Sequence, residues 1–522
     1  MEPDLAKLNR RRLLQAMTAV PMSAAAAHAQ QGRGAPGPGA AGRGAATAAE
    51  RFVGIQMGPH SMLDEGIDRV LDRLQGEAGI NSLLVYSHTY YTADGIRRKR
   101  TASVLAQDHG VPARDLNTRN LPYVWVKHHE EYFRNTILRH LPVDARLEYG
   151  NHDLFAEMLE PVRKRKMKLY ARILEPFSAE MAGLLPNWVK VLTIDAYGRP
   201  GRLPCFNNPD YRNFWLATSE DMFRTYELDG FQFGAERAGP LSGLVLNGTP
   251  PYCFCPHCRA RGREKGIDVE RAREGMKQLH TFVREDLLAK ETVPVEGVPT
   301  VVMNHFFRYP EILAWERLWR ESKETFFGTM FSSVKAIRPG TDTGEHVDHP
   351  CTTFDPFYRA VMSYREMADY MDFIKPILYH DIAGPRTRSM YLNLVRRSIL
   401  KELSDEQALD LFYTLKGYDQ KVEPKLDELD RRGLGPDYVY RETKRCVQAV
   451  AGRAKIYSGI GIDIPGNGAT FASNPEGVYE ATRKAFEAGA AGVLISREYD
   501  EMRLANLRAV GRAIADLAKV AG

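Results

Sequence analysis

The sequence predicts an α/β protein: a (β/α)8 barrel, or TIM barrel, with elaborated loops in a single large domain. From Arg51 onward, short apolar runs rich in β-branched residues alternate with long amphipathic segments, a pattern typical of βαβ units and a parallel sheet. Eight such runs can be counted. Eight strands with their helices, spread over about 470 residues, fit one elaborated barrel.

Each strand is predicted from a short apolar run, and each helix from apolar residues that recur near every 3.6 positions. The predicted strands are Phe52–Met57, Ser82–Ser87, Leu169–Leu174, Gly230–Phe233, Thr343–Val347, Phe373–Tyr379, Ile456–Ile462 and Gly492–Ile495. The predicted helices include Asp64–Gly76, His152–Arg165, Tyr211–Tyr226, Glu311–Ile337 and Pro475–Ala488.

Two features argue against other arrangements of these elements. An open doubly wound sheet is the alternative fold, but it requires a Gly-rich turn after the first strand, and the segment from Gly58 to His60 is not one. The run Val301–Arg308 would make a ninth strand. We assign it to a helical insertion, because the adjoining Pro310 and Glu311 look like a helix start.

The first fifty residues differ in character from the rest. Arg10 and Arg11 precede a moderately apolar, Ala-rich run, and Ala27-His28-Ala29 offers an A-x-A cleavage site. The pattern resembles a twin-arginine export signal over residues 1–29, with a disordered basic tail as the alternative. Residues 30–50 are predicted to be a flexible linker and residues 51–522 the catalytic barrel. We therefore expect a periplasmic or secreted protein.

Composition limits the classes of partner. The 522 residues are 44% hydrophobic and 26% charged, with 71 basic and 66 acidic side chains and a net charge of +5 that the Arg-rich N-terminus contributes in part. This near balance predicts no nucleic-acid partner. No run of 18 apolar residues follows the N-terminus, so no membrane span is expected in the mature form. We expect no organic cofactor, and a homo-oligomer remains open.

Candidate functional side chains follow nearly every predicted strand. In barrels of this type the chemistry takes place at the C-terminal ends of the strands, and carboxylates are rare inside strands. The candidates in chain order are Gln56, His60, His88, Tyr90, Tyr91, Glu175, Glu236, Arg237, Glu345, His346, Asp348, His349, His380, Asp381, Asp463, Arg497, Glu498 and Tyr499.

The four cysteines Cys205, Cys253, Cys255 and Cys258 form the sharpest motif. A C-x-C-x-x-C run places three thiolates in one tight turn, and Cys205 lies in the loop after the third strand, next to the loop after the fourth. Zinc prefers four such ligands in a tetrahedron, which predicts a structural zinc site with no open position for water. His257 could replace one ligand, and a disulfide or free thiols are the alternatives.

These loops resemble the zinc-binding loops of family 42 glycoside hydrolases, which are bacterial β-galactosidases. The matching pieces run from Cys205 to Arg212 and from Cys253 to Cys258, so the resemblance covers roughly residues 203–261. In that family a Glu at the end of strand four acts as general acid/base. The resemblance gives this role to Glu236, although Ala235 precedes it where the family has Asn. The rest of the chain resembles uncharacterised bacterial barrel proteins described as sugar hydrolases.

The chemistry expected of such a site is retaining hydrolysis by two carboxyl groups about 5–5.5 Å apart. In barrels of this broad clan the acid/base ends strand four and the nucleophile ends strand seven, which selects Glu236 and Asp463. Glu498 and Glu345 are rivals for the second role. An acid/base must hold its proton near neutral pH, so we expect a raised pKa for Glu236.

Other residues are expected to bind the sugar. Sugar rings stack on aromatic faces, and their hydroxyls bind His, Asp and Arg side chains. The expected binding residues are His88, Tyr90, Arg237, His346, His380, Asp381 and Tyr499. Loop aromatics offer further platforms, although each is more often part of a core; they are Tyr90, Tyr91, Tyr123, Trp125 and Trp188.

Two alternatives stay open at this level. The first is a metal-dependent barrel hydrolase using Glu345, His346 and His349, although strand alternation points Glu345 and His346 in opposite directions. The second is a glycan-binding barrel that does not cleave. The sequence does not name the sugar, its anomer, exo or endo action, or retention against inversion.

Overall fold

Eight parallel strands close into a barrel in the computed structural model, which describes residues 51–90, 108–110, 123–147, 149–175, 185–464 and 473–521. Each strand pairs with the next one in the chain, and the last pairs with the first. The strands are β1 (Phe52–Met57), β2 (Ser82–Tyr86), β3 (Lys168–Leu174), β4 (Gly230–Gly234), β5 (Asp342–Val347), β6 (Phe373–Pro376), β7 (Lys455–Gly461) and β8 (Gly492–Ser496). The predicted fold class and all eight predicted strands are confirmed. The predicted export signal and linker lie outside the described residues.

The helices form the outer layer and one insertion. Their bounds are α1 (His60–Glu65), α2 (Ile67–Ala78), α3 (Leu154–Lys164), α4 (Pro209–Thr225), α5 (Pro240–Asn247), α6 (Pro256–Glu264), α7 (Val269–Thr281), α8 (Val298–Arg308), α9 (Glu311–Ile337), α10 (Pro356–Val361), α11 (Tyr364–Met367), α12 (Ala383–Arg386), α13 (Asp405–Lys416), α14 (Pro436–Val450), α15 (Pro475–Glu487) and α16 (Leu504–Ala521). Val301–Arg308 falls within α8, as expected of a helical insertion. Of the described helices, none is long and apolar enough to cross a membrane.

Shorter elements complete the chain. Single 3-10 turns span Glu130–Asn135, Trp188–Val191 and Tyr499–Glu501, and π-helical turns span Phe282–Ala289, Pro350–Phe354 and Thr387–Arg396. Two small antiparallel hairpins lie outside the barrel. They pair His88–Thr89 with Tyr123–Val124, and Leu192–Ile194 with Pro200–Pro204.

An aromatic layer closes the N-terminal end of the barrel. Alternate residues of each strand point inward, and the lowest inward positions hold Phe52, Leu84, Tyr170, Phe373, Tyr457 and Leu494. The rings of Phe52 and Tyr457 stack with centroids 3.9 Å apart. The hydroxyls of Tyr170 and Tyr457 both donate to Asp342. Because this end is sealed, the polar side chains inside the barrel are accessible only from its opposite end, which we call the barrel mouth.

The insertion after β4 has its own core, which contains the four cysteines. Leu244, Met276, Leu279 and Trp315 are fully or almost fully buried there beside the cysteine side chains. The ring of Phe254 stacks on Trp315 at 4.7 Å. The predicted aromatic platforms Tyr123, Trp125 and Trp188 are buried in the main core instead. Their exposure is 5% or less, so they pack and do not present a sugar-binding face.

Candidate active site at the barrel mouth

A polar layer fills the barrel above the aromatic layer. The side-chain amide of Gln56 donates to Gln232 at 3.1 Å, and the hydroxyl of Ser496 donates to Gln56 at 2.9 Å. Lys375 on β6 is fully buried here, where its Nζ lies 2.8 Å from the hydroxyl of Tyr379. The neighbouring strand β7 makes room for it, since a Cβ on Gly459 would lie 2.5 Å from the Lys375 side chain.

His346 connects this layer to Glu236. The Nε2 of His346 lies 2.7 Å from a carboxylate oxygen of Glu236, and its Nδ1 lies 3.3 Å from the Nζ of Lys375. Burial and the charge of Lys375 lower the pKa of His346 to about 3, so the ring is neutral. The ring then accepts at Nδ1 and donates from Nε2 to Glu236. The side chain of Glu236 is 30% exposed, so it faces the mouth.

The electrostatics of Glu236 contradict the expectation of a raised pKa. Burial acts to raise the pKa of this carboxyl group, but the hydrogen bond from His346 and the charges of Arg172 and Arg386 outweigh it. The pKa falls to about 2. The sequence indicated the positions of Glu236 and of His346 on the neighbouring strand, but not the hydrogen bond between them. Glu236 is therefore ionised throughout the neutral range.

The pKa of Asp348 is shifted in the opposite direction from that of Glu236. Asp348 follows the last residue of β5, two residues beyond His346, and is 6% exposed. Burial and the negative charge of Glu236 raise its pKa to about 8. One oxygen accepts from the backbone N–H of Cys351 at 3.1 Å. The mouth thus holds an ionised carboxylate and a protonated carboxylic acid. Strand alternation from His346 was the signal that pointed to Asp348.

Two arginines that the sequence analysis did not single out add positive charge around this pair. Arg172 on β3 lies over the ring of Tyr86 at 4.0 Å and is 2% exposed. Arg386 at the end of α12 donates to the Nδ1 of His349 at 2.9 Å. Both act on Glu236 electrostatically. His349 is held between Arg386 and the hydroxyl of Tyr438, which lies 2.8 Å from its Nε2.

Asp463 has a different role from the predicted nucleophile. It is fully buried, and its carboxylate accepts from the backbone N–H groups of Ser473 and Arg503 and from the amide of Asn506, at 2.8 to 2.9 Å. Its backbone has φ +50°, which turns the chain after β7. These contacts tie that loop to the start of α16. The geometry is that of a structural capping residue.

Glu345 and Arg237 also form structural ion pairs. Glu345 points away from the barrel interior to Lys323 on α9, at 2.5 Å, with both side chains 1% exposed. Arg237 binds the carboxylate of Glu175 at 2.8 Å and lies over the ring of Phe206 at 3.7 Å. The expected catalytic role of Glu345 and the expected sugar-binding role of Arg237 therefore have no geometric basis, because each side chain is buried against another element.

The loop after β8 separates two neighbouring candidates. Tyr499 is fully buried, and its hydroxyl donates to Glu65 at 2.9 Å and accepts from Arg73 at 3.1 Å, which corrects its expected role in sugar binding. Glu498 lies two residues beyond the end of β8. A Cβ on Gly58 would lie 3.1 Å from its Oε2, so Glu498 reaches towards the end of β1. Glu498 stays a rival for the second carboxylate.

His380 and Asp381 follow β6 at the mouth. Burial lowers the pKa of His380 to about 4, and its Nδ1 has no hydrogen-bond partner among the described residues. Burial raises the pKa of Asp381 to about 7, and its carboxylate accepts from Ser473 and from the backbone of Ile382. Both side chains are nearly buried. Their expected contact with sugar stays a prediction.

His88 and Tyr90 lie in a buried cluster with two further histidines. The Nε2 of His88 lies 2.7 Å from the Nε2 of His128, and the hydroxyl of Tyr90 contacts the Nδ1 of His140. Burial lowers the pKa of His88 and of His140. His88 and Tyr90 are 4% and 6% exposed, so neither presents a surface for a sugar. His128 and His140 were missed because they lie in an irregular segment.

The four cysteines converge as predicted. Their Sγ atoms lie within 4.8 Å of one another, all four are buried, and none forms a disulfide. The Sγ of Cys205 lies 3.5 Å from that of Cys255 and 3.4 Å from that of Cys258. By contrast, Glu345, His346 and His349 are not among the groups of described residues whose donor atoms converge on one point. This counts against the metal-dependent hydrolase.

Some known proteins are similar to this chain in fold. No protein-family model matches the chain, and no curated protein matches it in sequence. Solved structures with a similar fold include α-L-fucosidase isoenzyme 2 from Paenibacillus thiaminolyticus, at 12% identity and a TM-score of 0.44 over 90% of this chain and 49% of that one. This chain therefore spans about half the length of that enzyme.

Two further solved structures share the fold. The PgaB (BpsB) glycoside hydrolase domain from Bordetella bronchiseptica is 13% identical with a TM-score of 0.46, over 90% of this chain and 98% of that one. A β-galactosidase from the haloarchaeon Halorubrum lacusprofundi is 13% identical with a TM-score of 0.48, over 90% and 58%. All three are similar to this chain in fold alone, which here is a (β/α)8 barrel.

Proposed function

We propose that this protein is a glycoside hydrolase in which Asp348 is the general acid and Glu236 the ionised partner. The observation that carries the proposal is the opposite shift of two carboxyl pKa values at one barrel mouth, to about 8 for Asp348 and about 2 for Glu236. Pairs of carboxyl groups separated in this way are the hallmark of acid–base assignment in glycosidases. The substrate class is a carbohydrate.

The reaction follows from these protonation states. Asp348 gives its proton to the glycosidic oxygen as the bond to the anomeric carbon breaks. Glu236 either attacks that carbon, giving retention, or takes a proton from an attacking water, giving inversion. In the retaining case Asp348 then accepts a proton from the water that releases the sugar. This exchanges the roles that the resemblance implied, since the hydrogen bond from His346 stabilises the charged form of Glu236.

Matched variants test the assignment on a panel of aryl glycosides. Asp348→Asn should lose most activity on poor leaving groups and retain it on good ones, because only a poor leaving group needs the proton. Glu236→Gln should lose activity on both, by several orders of magnitude. Glu476→Gln, an exposed carboxylate on α15, is the control and should behave as wild type. A Glu236→Gln protein that turns over normally would refute the mechanism.

A protein that binds the sugars and cleaves none would instead be a glycan-binding barrel. Plant oligosaccharides and aryl glycosides should be screened together, with binding measured beside hydrolysis. Stereochemistry should be read from the first-formed anomer by NMR. This measurement separates nucleophilic attack by Glu236 from base catalysis by Glu236, and it also tests whether Glu498 takes the second role.

We also propose that zinc binds the four cysteines. A Zn–S distance of about 2.3 Å in a tetrahedron places sulfurs about 3.8 Å apart. The Sγ of Cys205 lies at similar distances from the Sγ of Cys258, 3.4 Å, and of Cys255, 3.5 Å. The Asn207 side-chain amide donates to the sulfur of Cys258, and the backbone N–H of Ile194 donates to Cys253. Such donors stabilise thiolate charge. The ion would join the loop after β3 to the loop after β4.

Export by the twin-arginine route is a further proposal that rests on Arg10 and Arg11 and on the cleavage pattern at Ala27 to Ala29. N-terminal sequencing of protein recovered from the cell envelope or medium should begin near Gln30. A full-length cytoplasmic product would contradict it.

A further inference from the structure

A cluster of three histidines, one buried and two partly buried, lies outside the barrel strands. His88 follows β2, while His128 and His140 flank the 3-10 turn Glu130–Asn135. One ring nitrogen of each lies within 4.8 Å of the others. The side chains are enclosed by Phe133, Phe214 and Trp215, whose rings pack edge-on or tilted against the imidazoles.

Hydrogen bonds at the outer side of two of the rings, His128 and His140, fix their tautomers. The Nδ1 of His128 lies 2.9 Å from a carboxylate oxygen of Asp221, which is fully buried and can only accept, so this nitrogen carries the hydrogen. A carboxylate behind a histidine is the usual support of a metal ligand, because it orients the ring and makes its other nitrogen more basic. The Nε2 of His128 is thereby left as a lone pair.

The same logic applies to His140. Its Nε2 lies 2.8 Å from the hydroxyl oxygen of Thr218, whose own hydrogen is donated to the backbone oxygen of Phe214 at 2.7 Å. Thr218 must therefore accept, and the Nε2 of His140 must donate. The lone pair of His140 is then at Nδ1, the nitrogen that faces Tyr90.

His88 completes the set. Its Nδ1 lies 2.9 Å from the hydroxyl of Ser87, which donates its own hydrogen to the backbone oxygen of Arg172 at 3.4 Å. When Ser87 donates to Arg172, His88 donates from Nδ1 and has its lone pair at Nε2; when Ser87 donates to the nearer Nδ1 of His88, the Nε2 of His88 carries the hydrogen and donates to His128. In the first of these two states the Nε2 atoms of His88 and His128 face each other at 2.7 Å with two lone pairs, which repel. A cation between them removes the repulsion.

We propose that the Nε2 atoms of His88 and His128 and the Nδ1 of His140 bind a divalent transition-metal ion of the zinc class. Three neutral imidazoles suit zinc, copper, nickel and cobalt, and a buried site with a supporting carboxylate favours the ion over a lone proton. The hydroxyl oxygen of Tyr90, which contacts His140 and accepts from the backbone of Leu141, is placed to be the fourth ligand.

Loading the ion requires a small rearrangement. The three rings are stacked with centroids 4.2 to 5.0 Å apart and planes within 19° of parallel. Zinc–nitrogen bonds of about 2.1 Å separate tetrahedral ligands by about 3.4 Å. The Nε2 atoms of His88 and His128 must therefore move apart by several tenths of an ångström, and the rings must tilt until their lone pairs converge. The ion would fasten residues 128–140 to the end of β2.

The test counts metal on the whole protein and does not depend on glycosidase activity. Protein stripped with a chelator is reloaded with Zn²⁺ alone, and bound metal is measured by mass spectrometry. Cys258→Ser should retain the equivalent of zinc that the histidines bind, and His128→Asn should lose it. The control His152→Asn replaces an exposed histidine that pairs with Glu157, and it should bind as much zinc as wild type. If wild type and His128→Asn bind the same amount, the proposal is wrong.

A second measurement does not rely on any variant folding. Crystals of wild-type protein loaded with Zn²⁺ should give an anomalous peak at the zinc edge between the three imidazole nitrogens. With Co²⁺ in Cys258→Ser, visible bands without thiolate charge transfer are expected. A map with no peak among the histidines would show that a shared proton, and not a metal ion, holds this cluster together.

Discussion

The Nε2 of His346 lies 2.7 Å from the carboxylate of Glu236, on the neighbouring strand of the barrel. This contact sets the protonation of the mouth, because a neutral imidazole donates to Glu236 and keeps it charged. The charge on Glu236 in turn raises the pKa of Asp348. Removing one side chain of this trio should therefore change the titration of the others.

Replacing His346 by Ala should raise the pKa of Glu236 from about 2 towards the usual range for a glutamate, about 4.3. The acid limb of the kcat/KM profile should then move up by up to about two pH units, so that activity at pH 4 falls relative to pH 6. His152→Ala is the matched control. An acid limb that does not move would show that His346 does not set the charge of Glu236.

Asp348→Asn should remove the alkaline limb. Burial and the charge of Glu236 raise the pKa of Asp348 to about 8, so the wild-type enzyme should lose its general acid, and with it activity, as the pH rises through 8. The Asp348→Asn variant has no carboxylic acid at this position that could lose its proton near pH 8. Its rate on good leaving groups should be flat across that range, while its rate on poor ones should fall by about 10²- to 10⁴-fold. An unchanged alkaline limb would assign that pKa to another group.

Much of the architecture could be predicted because its signal is local. Most barrel strands are buried on both faces and read as short apolar runs, with β5 as the polar exception, and the longest outer helix begins and ends where the sequence predicted, at Glu311 and Ile337. The convergence of the cysteines was also predictable, since neighbouring barrel loops meet in space. These features depend on sequence neighbours or on the regular order of the strands.

The site was harder to predict because its contacts join different strands. Glu236 was selected by position, but the hydrogen bond that lowers its pKa comes from β5. Arg237 pairs with Glu175 rather than with a ligand, and that pairing depends on how the chain turns after β4. Asp463 was selected because it follows the seventh strand, but its backbone turns there at φ +50° and its buried carboxylate accepts from Ser473, Arg503 and Asn506.

Glu316→Gln should stabilise the fold above neutral pH. Burial raises the pKa of Glu316 to about 8, and its carboxyl group accepts from the backbone N–H of Leu241 at 2.8 Å. The folded state holds the proton while the unfolded state releases it from about pH 4.5 upward. Stability is therefore lost as pH rises towards 8, by about 1.4 kcal/mol per unit.

Denaturant unfolding of both proteins at pH 5 and pH 7.5 measures this effect. Gln keeps the acceptor for Leu241 and has no proton to release. The free energy of unfolding of the variant should therefore exceed that of wild type most at the higher pH. Glu264→Gln, an exposed position on α6, is the control. Equal gains at the two pH values would mean that Glu316 does not titrate in this window.

Removing the metal from the cysteine cluster should loosen the loops after β3 and β4 without abolishing the barrel. Cys205 lies in the first loop and the other three cysteines in the second, so Cys205→Ser breaks the link between them. In a His128→Asn background, which removes the proposed histidine site, chelation and the Cys205→Ser substitution should lower Tm to a similar degree and should not add to each other. Cys446→Ser, a cysteine outside the cluster, should remain sensitive to the chelator. A Cys205→Ser protein that loses as much Tm on chelation as wild type would contradict the shared site.

Asp463→Asn separates a structural carboxylate from a catalytic one. The carboxylate accepts from two backbone N–H groups and from Asn506, whereas an asparagine in the same place offers one acceptor oxygen and turns an NH₂ group towards at least one donor. Leaving buried donors unpaired costs about 1–3 kcal/mol each, so the free energy of unfolding should fall by that order. The folded fraction should nevertheless keep kcat near the wild-type value, because the carboxylate is fully buried and its oxygens are occupied by Ser473, Arg503 and Asn506. Activity measured per folded molecule, with the folded fraction taken from circular dichroism at the assay temperature, tests both halves. A stable variant whose kcat drops by orders of magnitude would restore Asp463 as the nucleophile and remove Asp348 from its proposed place beside Glu236.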